Sequence, residues 1–218
     1  HVRVQSENDL TRLQGSKYVQ SKMGSIYKNV KEDLEEGRVV LFSGTPCQID
    51  ALNSYLKNRE KNNLFTVDII CHGTPSAKLF AEYLKHIAKS INGKIVDFRF
   101  RDKSGGWGLK GSIIYQDKMD KLRKKTLPIQ LSSYYALFLD SETYRENCYS
   151  CKYAGKKRIG DITLGDYWGV EDEHPEILAE NGGRFDKSMG ISCVLINTKK
   201  GQQLLDCIEE KIERVPSS

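Results

Sequence analysis

Four of the six cysteines in this chain stand where thiolates do chemistry. Cys47 closes the turn S-G-T-P-C-Q, Cys71 opens C-H-G-T-P-S, and Cys148 with Cys151 forms C-x-x-C. A C-x-x-C pair chelates one metal centre from a single loop, and two more cysteines at Gly-Thr-Pro turns complete a set of four sulfur ligands. Pro46 puts Cys47 in the first turn of an expected helix, where unpaired N–H groups and the helix dipole favour negative charge. His72, beside Cys71, can hold or relay a proton near neutral pH and is the candidate catalytic group. Blander readings compete at each position: a small buried Cys47, a hydrogen-bonded structural His72, a redox dithiol at Cys148 and Cys151, and zinc in place of iron and sulfide.

Glycine-rich turns surround these cysteines: Ser43-Gly44-Thr45, Gly73-Thr74, Ser104 to Gly108, and Gly165-Asp166-Tyr167-Trp168-Gly169. Loops of this kind suit an anionic cofactor such as a flavin better than a structural zinc clip. Arg99 and Arg101 alternate beside the Ser104 to Gly108 turn, so a strand there would aim both guanidinium groups to one face, either to grip phosphate or as plain edge charges. Asp161 and Asp166 flank Ile-Thr-Leu-Gly, which reads as a strand, and no third oxygen ligand for a hard metal accompanies them. Cys193 and Cys207 sit in apolar surroundings and read as core packing.

The elements that must position these residues follow from periodicity. A short helix is expected from Ser6 to Gln14, and Met23, Ile26, Tyr27, Val30 and Leu34 mark a second one that Gly37 ends. Residues 38–42 read as a buried strand, followed by a helix from Pro46 to about Lys57 with Thr45 as its cap. The same unit recurs as a strand over 64–70 and a helix started by Thr74 and Pro75. Both Gly-Thr-Pro turns are therefore expected side by side at the carboxyl edge of a mainly parallel sheet. Beyond Asn92 the pattern alternates, with strands over 95–100 and 109–115 around Gly105-Gly106 expected to extend that sheet. An aromatic helix over 132–140, strands over 159–168 and 191–197, and a closing helix over 201–215 with Leu204, Leu205, Ile208 and Ile212 inward complete the reading. The fold class is mixed α/β: a central, mainly parallel sheet with flanking helices, extended by antiparallel strands. Residues 1–140 are expected to form the flavin- and cluster-binding domain, and residues 141–218 a C-terminal lobe carrying the C-x-x-C loop and packed on the same core.

The 218 residues are 39% hydrophobic, enough for a real core. No apolar run approaches the roughly 18 to 20 residues of a membrane-spanning helix. A large, Lys/Glu-rich chain without an export signal suits a reducing, cytoplasmic setting for its thiols. A net charge of +5 suits anionic cofactors or acidic protein partners. The densest basic stretch, Lys118 to Lys125, contains no aromatic residue to stack bases, so it reads as a solvated hairpin or loop and no nucleic-acid partner is expected. The first residue is His1, so the chain reads as part of a longer product.

The motifs L-F-S-G-T-P-C-Q, D-I-I-C-H-G-T-P-S, F-R-F-R-D-K-S-G-G-W-G and N-C-Y-S-C-K-Y-A, followed by G-D-I-T-L-G-D-Y-W-G, resemble the coenzyme F420 hydrogenase/dehydrogenase beta-subunit family. The resemblance runs from about Ser16 to Gly169. It implies a flavin- and iron–sulfur-dependent oxidoreductase with FAD and a [4Fe-4S] cluster, Cys47, Cys71, Cys148 and Cys151 being the cluster ligands. Ser43, Gly44, Thr45, Gln48, Gly73, Thr74, Arg99, Arg101, Gly165, Asp166 and Trp168 are the expected cofactor contacts. The implied partners are a ferredoxin-like domain or other redox subunit and a small two-electron organic substrate, coenzyme F420 among them. A cluster passes single electrons and a flavin one or two, so the pair would join a one-electron supply to hydride chemistry. The family's usual cysteine-rich segment and the first part of its flavin domain are not seen in this sequence. The alternative is a non-catalytic module, stabilised by zinc or a cluster and associated with cell-surface polysaccharide biosynthesis.

Overall fold

The computed structural model describes residues 1–57, 59, 61–104 and 106–215. In chain order its regular elements are α1 (Ile26–Glu35), β1 (Val40–Gly44), α2 (Pro46–Leu56), β2 (Leu64–Ile69), α3 (Ala77–Ile91), β3 (Lys94–Arg99), β4 (Gly111–Gln116), β5 (Leu122–Leu127), α4 (Ser133–Leu139), α5 (Glu146–Tyr149), β6 (Ile162–Asp166), α6 (Val170–Glu173), β7 (Ser192–Ile196) and α7 (Lys199–Asp206), with short 3-10 turns between them. The mixed α/β class is as expected. They form two compact units, one from His1–Lys22 with His72–Cys151 and the other from Met23–Cys71 with Lys152–Ser218. The units interleave along the chain, whereas the sequence suggested one boundary near residue 140.

In the unit of Met23–Cys71 and Lys152–Ser218 the strand order is β1-β2-β6-β7, the first three parallel and β7 antiparallel. Alternation along β1 buries Phe42 and leaves Leu41 59% exposed. Phe42 and Leu64 pack against Ile26 and Val30 of α1 and Ile49, Leu52 and Leu56 of α2. The α2 residues recur at three and four positions, which puts them on one helix face. On the opposite sheet face Lys200 of α7 stands 5.0 Å from the centre of the Phe65 ring.

A buried ion pair pins the approach to β6. Asp68 accepts from Arg158 Nη2 at 3.2 Å and from the backbone N–H groups of Ile159 and Gly160 at 3.3 and 3.2 Å. Its charge is tolerated because every partner is a donor, and removing one would strand the other in low dielectric. Asp161 then accepts from the N–H and hydroxyl of Thr66, both at 2.8 Å, and from the Thr198 hydroxyl at 2.6 Å. Its carboxylate thus ties β2 to the start of α7.

In the other unit β3, β4 and β5 form a separate antiparallel sheet rather than an extension of the parallel one. The reason is aromatic. Phe98 and the adjoining Phe100 meet Phe80 of α3 with ring centres 5.2 Å apart in each case, and Phe80 meets Tyr134 of α4 at 5.1 Å. This sheet therefore buries its apolar face on its own helices. Tyr18 joins the cluster by stacking on Phe138 at 5.0 Å, while its carbonyl accepts from the Tyr134 hydroxyl at 2.7 Å. The basic stretch is the β4–β5 hairpin, with five of the six β5 residues exposed and its turn gathered around the Asp117 carboxylate. That agrees with a solvated hairpin.

Several boundaries differ from expectation. The first segment is a 3-10 helix, Glu7–Leu13. Helix α3 begins at Ala77, because the Ser76 hydroxyl accepts the Leu79 N–H at 3.2 Å and so takes the cap position expected of Thr74. Helix α7 stops at Asp206, leaving Ile208 and Ile212 exposed instead of inward. Cys207 is accordingly exposed, not core, and Cys193 in β7 is half-buried. Gly105 lies outside the described residues.

Candidate functional site

Because β1, β2 and β6 are parallel neighbours, their carboxyl ends open on one edge of the sheet, the usual place for ligands in such folds. Ser43, Gly44, Thr45 and Cys47 follow from β1, Cys71 stands two residues past β2, and Gly165, Asp166 and Trp168 end β6. Cys47 and Cys71 are both exposed, and Trp168 is 55% exposed.

The β1–α2 turn is held mostly by its own atoms. The Thr45 N–H donates to the Gln48 side-chain carbonyl at 2.9 Å, and the Thr45 carbonyl accepts from the N–H groups of Gln48 at 2.9 Å and Ile49 at 3.1 Å. The Tyr27 hydroxyl donates to the Gln48 carbonyl at 2.8 Å. Burial, and then the negative charge of Cys47, push the Tyr27 hydroxyl above the ordinary tyrosine range. The Gln48 side chain therefore takes part in the helix cap. The Thr45 hydroxyl lies 3.1 Å from Cys47 Sγ. Gly165 is a packing glycine: a Cβ there would stand 2.7 Å from the Ile70 side chain.

The other unit carries Cys148 and Cys151. The Thr74 carbonyl accepts from Arg145 N–H at 3.2 Å, laying the H-G-T-P segment along the loop that holds Cys148, and the Thr74 hydroxyl stands 4.0 Å from Cys148 Sγ. Gly73 has φ +126°, and a Cβ on it would meet the Tyr144 ring at 2.8 Å, so only glycine fits. The His72 ring packs edge-on against Phe138 and Tyr144 at 5.2 and 5.4 Å, and its Nε2–H donates to the Leu139 carbonyl at 3.2 Å. Arg99 and Arg101 are not equivalent. Arg99 ends β3, is exposed and pairs with Asp97 at 3.0 Å. Arg101 lies beyond the strand, buried, with Nε donating to the Gly108 carbonyl at 3.0 Å and its guanidinium 5.2 Å over Trp107.

None of the six cysteines is in a disulfide. Among the described residues, neither unit gathers three or more His, Cys, Asp or Glu side chains at metal-holding distance; each contributes two of the four motif cysteines. Their donor atoms are thiol sulfurs, a type that zinc and iron–sulfur centres both take. One feature escaped sequence reasoning. Tyr153 donates its hydroxyl to Asp50, one turn after Cys47 on α2, and Lys152 Nζ lies 3.4 Å from the same carboxylate. The Tyr153 hydrogen bond is the main cause holding Asp50 below the usual carboxylate range. Only the Lys-Tyr directly after the C-x-x-C could have hinted at it.

Residues 37–216 match the family described as the C terminus of the coenzyme F420 hydrogenase/dehydrogenase beta subunit. The chain belongs to this family. The match includes all four motif cysteines and every strand of both sheets. Membership in this beta-subunit family makes the chain part of a redox subunit. No curated protein matches it. Among the described residues no helix is long and apolar enough to cross a membrane.

Proposed function

We propose that this member of the F420 hydrogenase/dehydrogenase beta-subunit family is an iron–sulfur- and FAD-dependent oxidoreductase, with Cys47, Cys71, Cys148 and Cys151 as [4Fe-4S] ligands. The observation that carries the reading is the placement of those cysteines, none of them in a disulfide: two follow the ends of adjacent parallel strands and two share one C-x-x-C. When bound, the cluster would supply one-electron transfer to or from a ferredoxin-like or other redox partner in the cytoplasm. The requirement for FAD, and for coenzyme F420 or another two-electron organic substrate, rests on family membership. Within the chain, Cys47 and Cys71 present sulfur at the sheet edge, the Thr45–Gln48 cap fixes the first of them, and His72 is oriented through Nε2 so that Nδ1 is the atom that takes or gives a proton. Arg99, exposed at the end of β3 and paired with Asp97, is the guanidinium that an anionic ligand would engage in competition with that carboxylate.

The test is anaerobic purification of the full-length protein with assays for iron, acid-labile sulfide, zinc and flavin. About four irons and four sulfides per chain are expected. Replacing any one of the four motif cysteines by serine should abolish most of the iron, whereas Cys193→Ser should keep it. Zinc alone, without iron or flavin, would overturn the redox reading in favour of a zinc-stabilised module.

A further inference from the structure

The four-stranded sheet ends at β7, an antiparallel strand whose far side meets no other strand among the described residues. Its ladder shows which backbone groups are turned outward. The Asn197 N–H donates to the Asp161 carbonyl at 2.9 Å and the Tyr167 N–H to the Ile191 carbonyl at 2.8 Å, so the odd-numbered residues of this strand face β6. Alternation then turns the N–H and carbonyl groups of Ser192, Val194 and Ile196 away from the sheet. Among the described residues no hydrogen bond satisfies them. The edge is apolar as well as open. Ser-Cys-Val-Leu-Ile carries no charge, and Val194, Leu195 and Ile196 are 42, 40 and 38% exposed. Ile69, Leu164 and Val194 stand in register across β2, β6 and β7, so these three exposed side chains form one row on one sheet face. Charge or an irregular register ordinarily protects an open edge, and the other sheet has both: β5 is basic, and β3 carries Lys94, Asp97, Arg99 and a register shift. Strand β7 has neither.

We infer that β7 is the edge through which two copies of this chain pair, antiparallel about a twofold axis at Val194, joining their four-stranded sheets into one. Charge and register both favour a second copy as the occupant. About a twofold axis each residue of the strand meets one from the same strand, so an uncharged edge meets its own image at no electrostatic cost. The outward groups restrict the register, because hydrogen-bonded pairs can join only Ser192, Val194 and Ile196 to one another. Centring the axis on Val194 pairs all three, Ser192 with Ile196 and Val194 with itself, and gives about six hydrogen bonds. Directly opposed residues of antiparallel strands share a face, so the row of Ile69, Leu164 and Val194 continues into its own image as one apolar band. A strand of five residues makes a small interface, and the association is therefore concentration-dependent.

The experiment uses the full-length protein. Sedimentation equilibrium across a range of concentrations should give a reversible monomer–dimer equilibrium for wild type. Val194→Lys should weaken it by about tenfold or more, because two lysines then face each other across the axis. Val194 is exposed, so this variant should keep the folded state by circular dichroism. Leu41→Lys, on the β1 edge of the same sheet, should associate as wild type does. The register has its own readout. On mild oxidation Val194→Cys should give a disulfide-linked dimer, whereas Ser192→Cys, which faces Ile196 of the second copy, should give no more than wild type. Wild type that stays monomeric even at about 100 μM would overturn the inference and leave β7 to an extended strand of a different protein. A dimer that survives Val194→Lys, or one that Leu41→Lys breaks, would overturn it too. Equal cross-linking of Ser192→Cys and Val194→Cys would refute the pairing about Val194.

Discussion

A single carboxylate shows how this chain manages charge outside its cysteines. Asp102 is nearly buried and lies 2.6 Å from Lys124 Nζ. That pairing is the main cause that holds its carboxyl far below the usual carboxylate range, and the Ser104 N–H donates to it as well, at 3.1 Å. A depressed folded-state value contributes stability that is complete above the unfolded value, about pH 4, and is lost as pH falls from there toward the folded value. Replacing Asp102 by Asn should therefore destabilise the protein at neutral pH. It should also flatten the fall in unfolding free energy between about pH 4 and pH 2, as read from urea titrations at each pH. An acid limb as steep as that of wild type would show that Asp102 is not charged and paired in this way. His72 illustrates the opposite economy: one ring nitrogen serves the Leu139 carbonyl while two aromatic rings fix the plane.

At the level of elements, the β1–α2 turn does more than change direction. Its cap is reciprocal to the chain's usual need, since the Gln48 side chain satisfies the Thr45 N–H and the Tyr27 hydroxyl from α1 locks the Gln48 carbonyl. Gln48→Ala should cost about 1 kcal/mol of stability, the usual worth of a helix cap, measured by chemical denaturation. Gln48→Glu, which keeps the acceptor, should lose less. Equal losses in both variants would mean that the capping bond contributes nothing. The β4–β5 hairpin follows another rule: lysine and arginine on an exposed edge strand discourage pairing with a second chain, and Asp117 organises the turn they flank.

The whole molecule is two units woven from four stretches of chain, with crossings after Lys22, Cys71 and Cys151. The sheet of β1-β2-β6-β7 draws its halves from opposite sides of the 72–151 segment. Fragments 1–71 and 72–218 should therefore each fail to form the β1-β2-β6-β7 sheet alone. The first lacks β6 and β7, and the second is left with β6 and β7 as an isolated pair without their buried neighbours. Circular dichroism and proton–nitrogen spectra of the separate fragments should show loss of that sheet's fixed tertiary structure, with recovery on mixing. A cooperative unfolding transition in fragment 1–71 alone would contradict this account.

What the sequence determined by itself was local. Alternating and helical periodicity placed β1, α2, β2, α4, β6 and β7, and Ser-Gly-Thr-Pro-Cys-Gln marked a strand-to-helix turn, because turn chemistry and side-chain period act within a few residues. The motif cysteines were legible for the same reason, since their residue types and spacing are one-dimensional facts. Tertiary structure decided what depended on partners distant in the chain. Phe98 and Phe100 alternate as any half-buried strand would, and only their packing on Phe80 and Tyr134 shows that β3 belongs to a separate sheet. Arg99 and Arg101 looked alike by spacing, yet Trp107 and Gly108 bury one while the other meets solvent. Gly165 read as a turn glycine, and only the fold shows that Ile70 packs against it. Thr74 read as a helix cap, and only the fold of the chain from Arg145 onward sets it beside Cys148. Period and turn type are written in neighbouring residues, whereas the contacts that give a side chain its task are made across the chain, by burial that no short window contains.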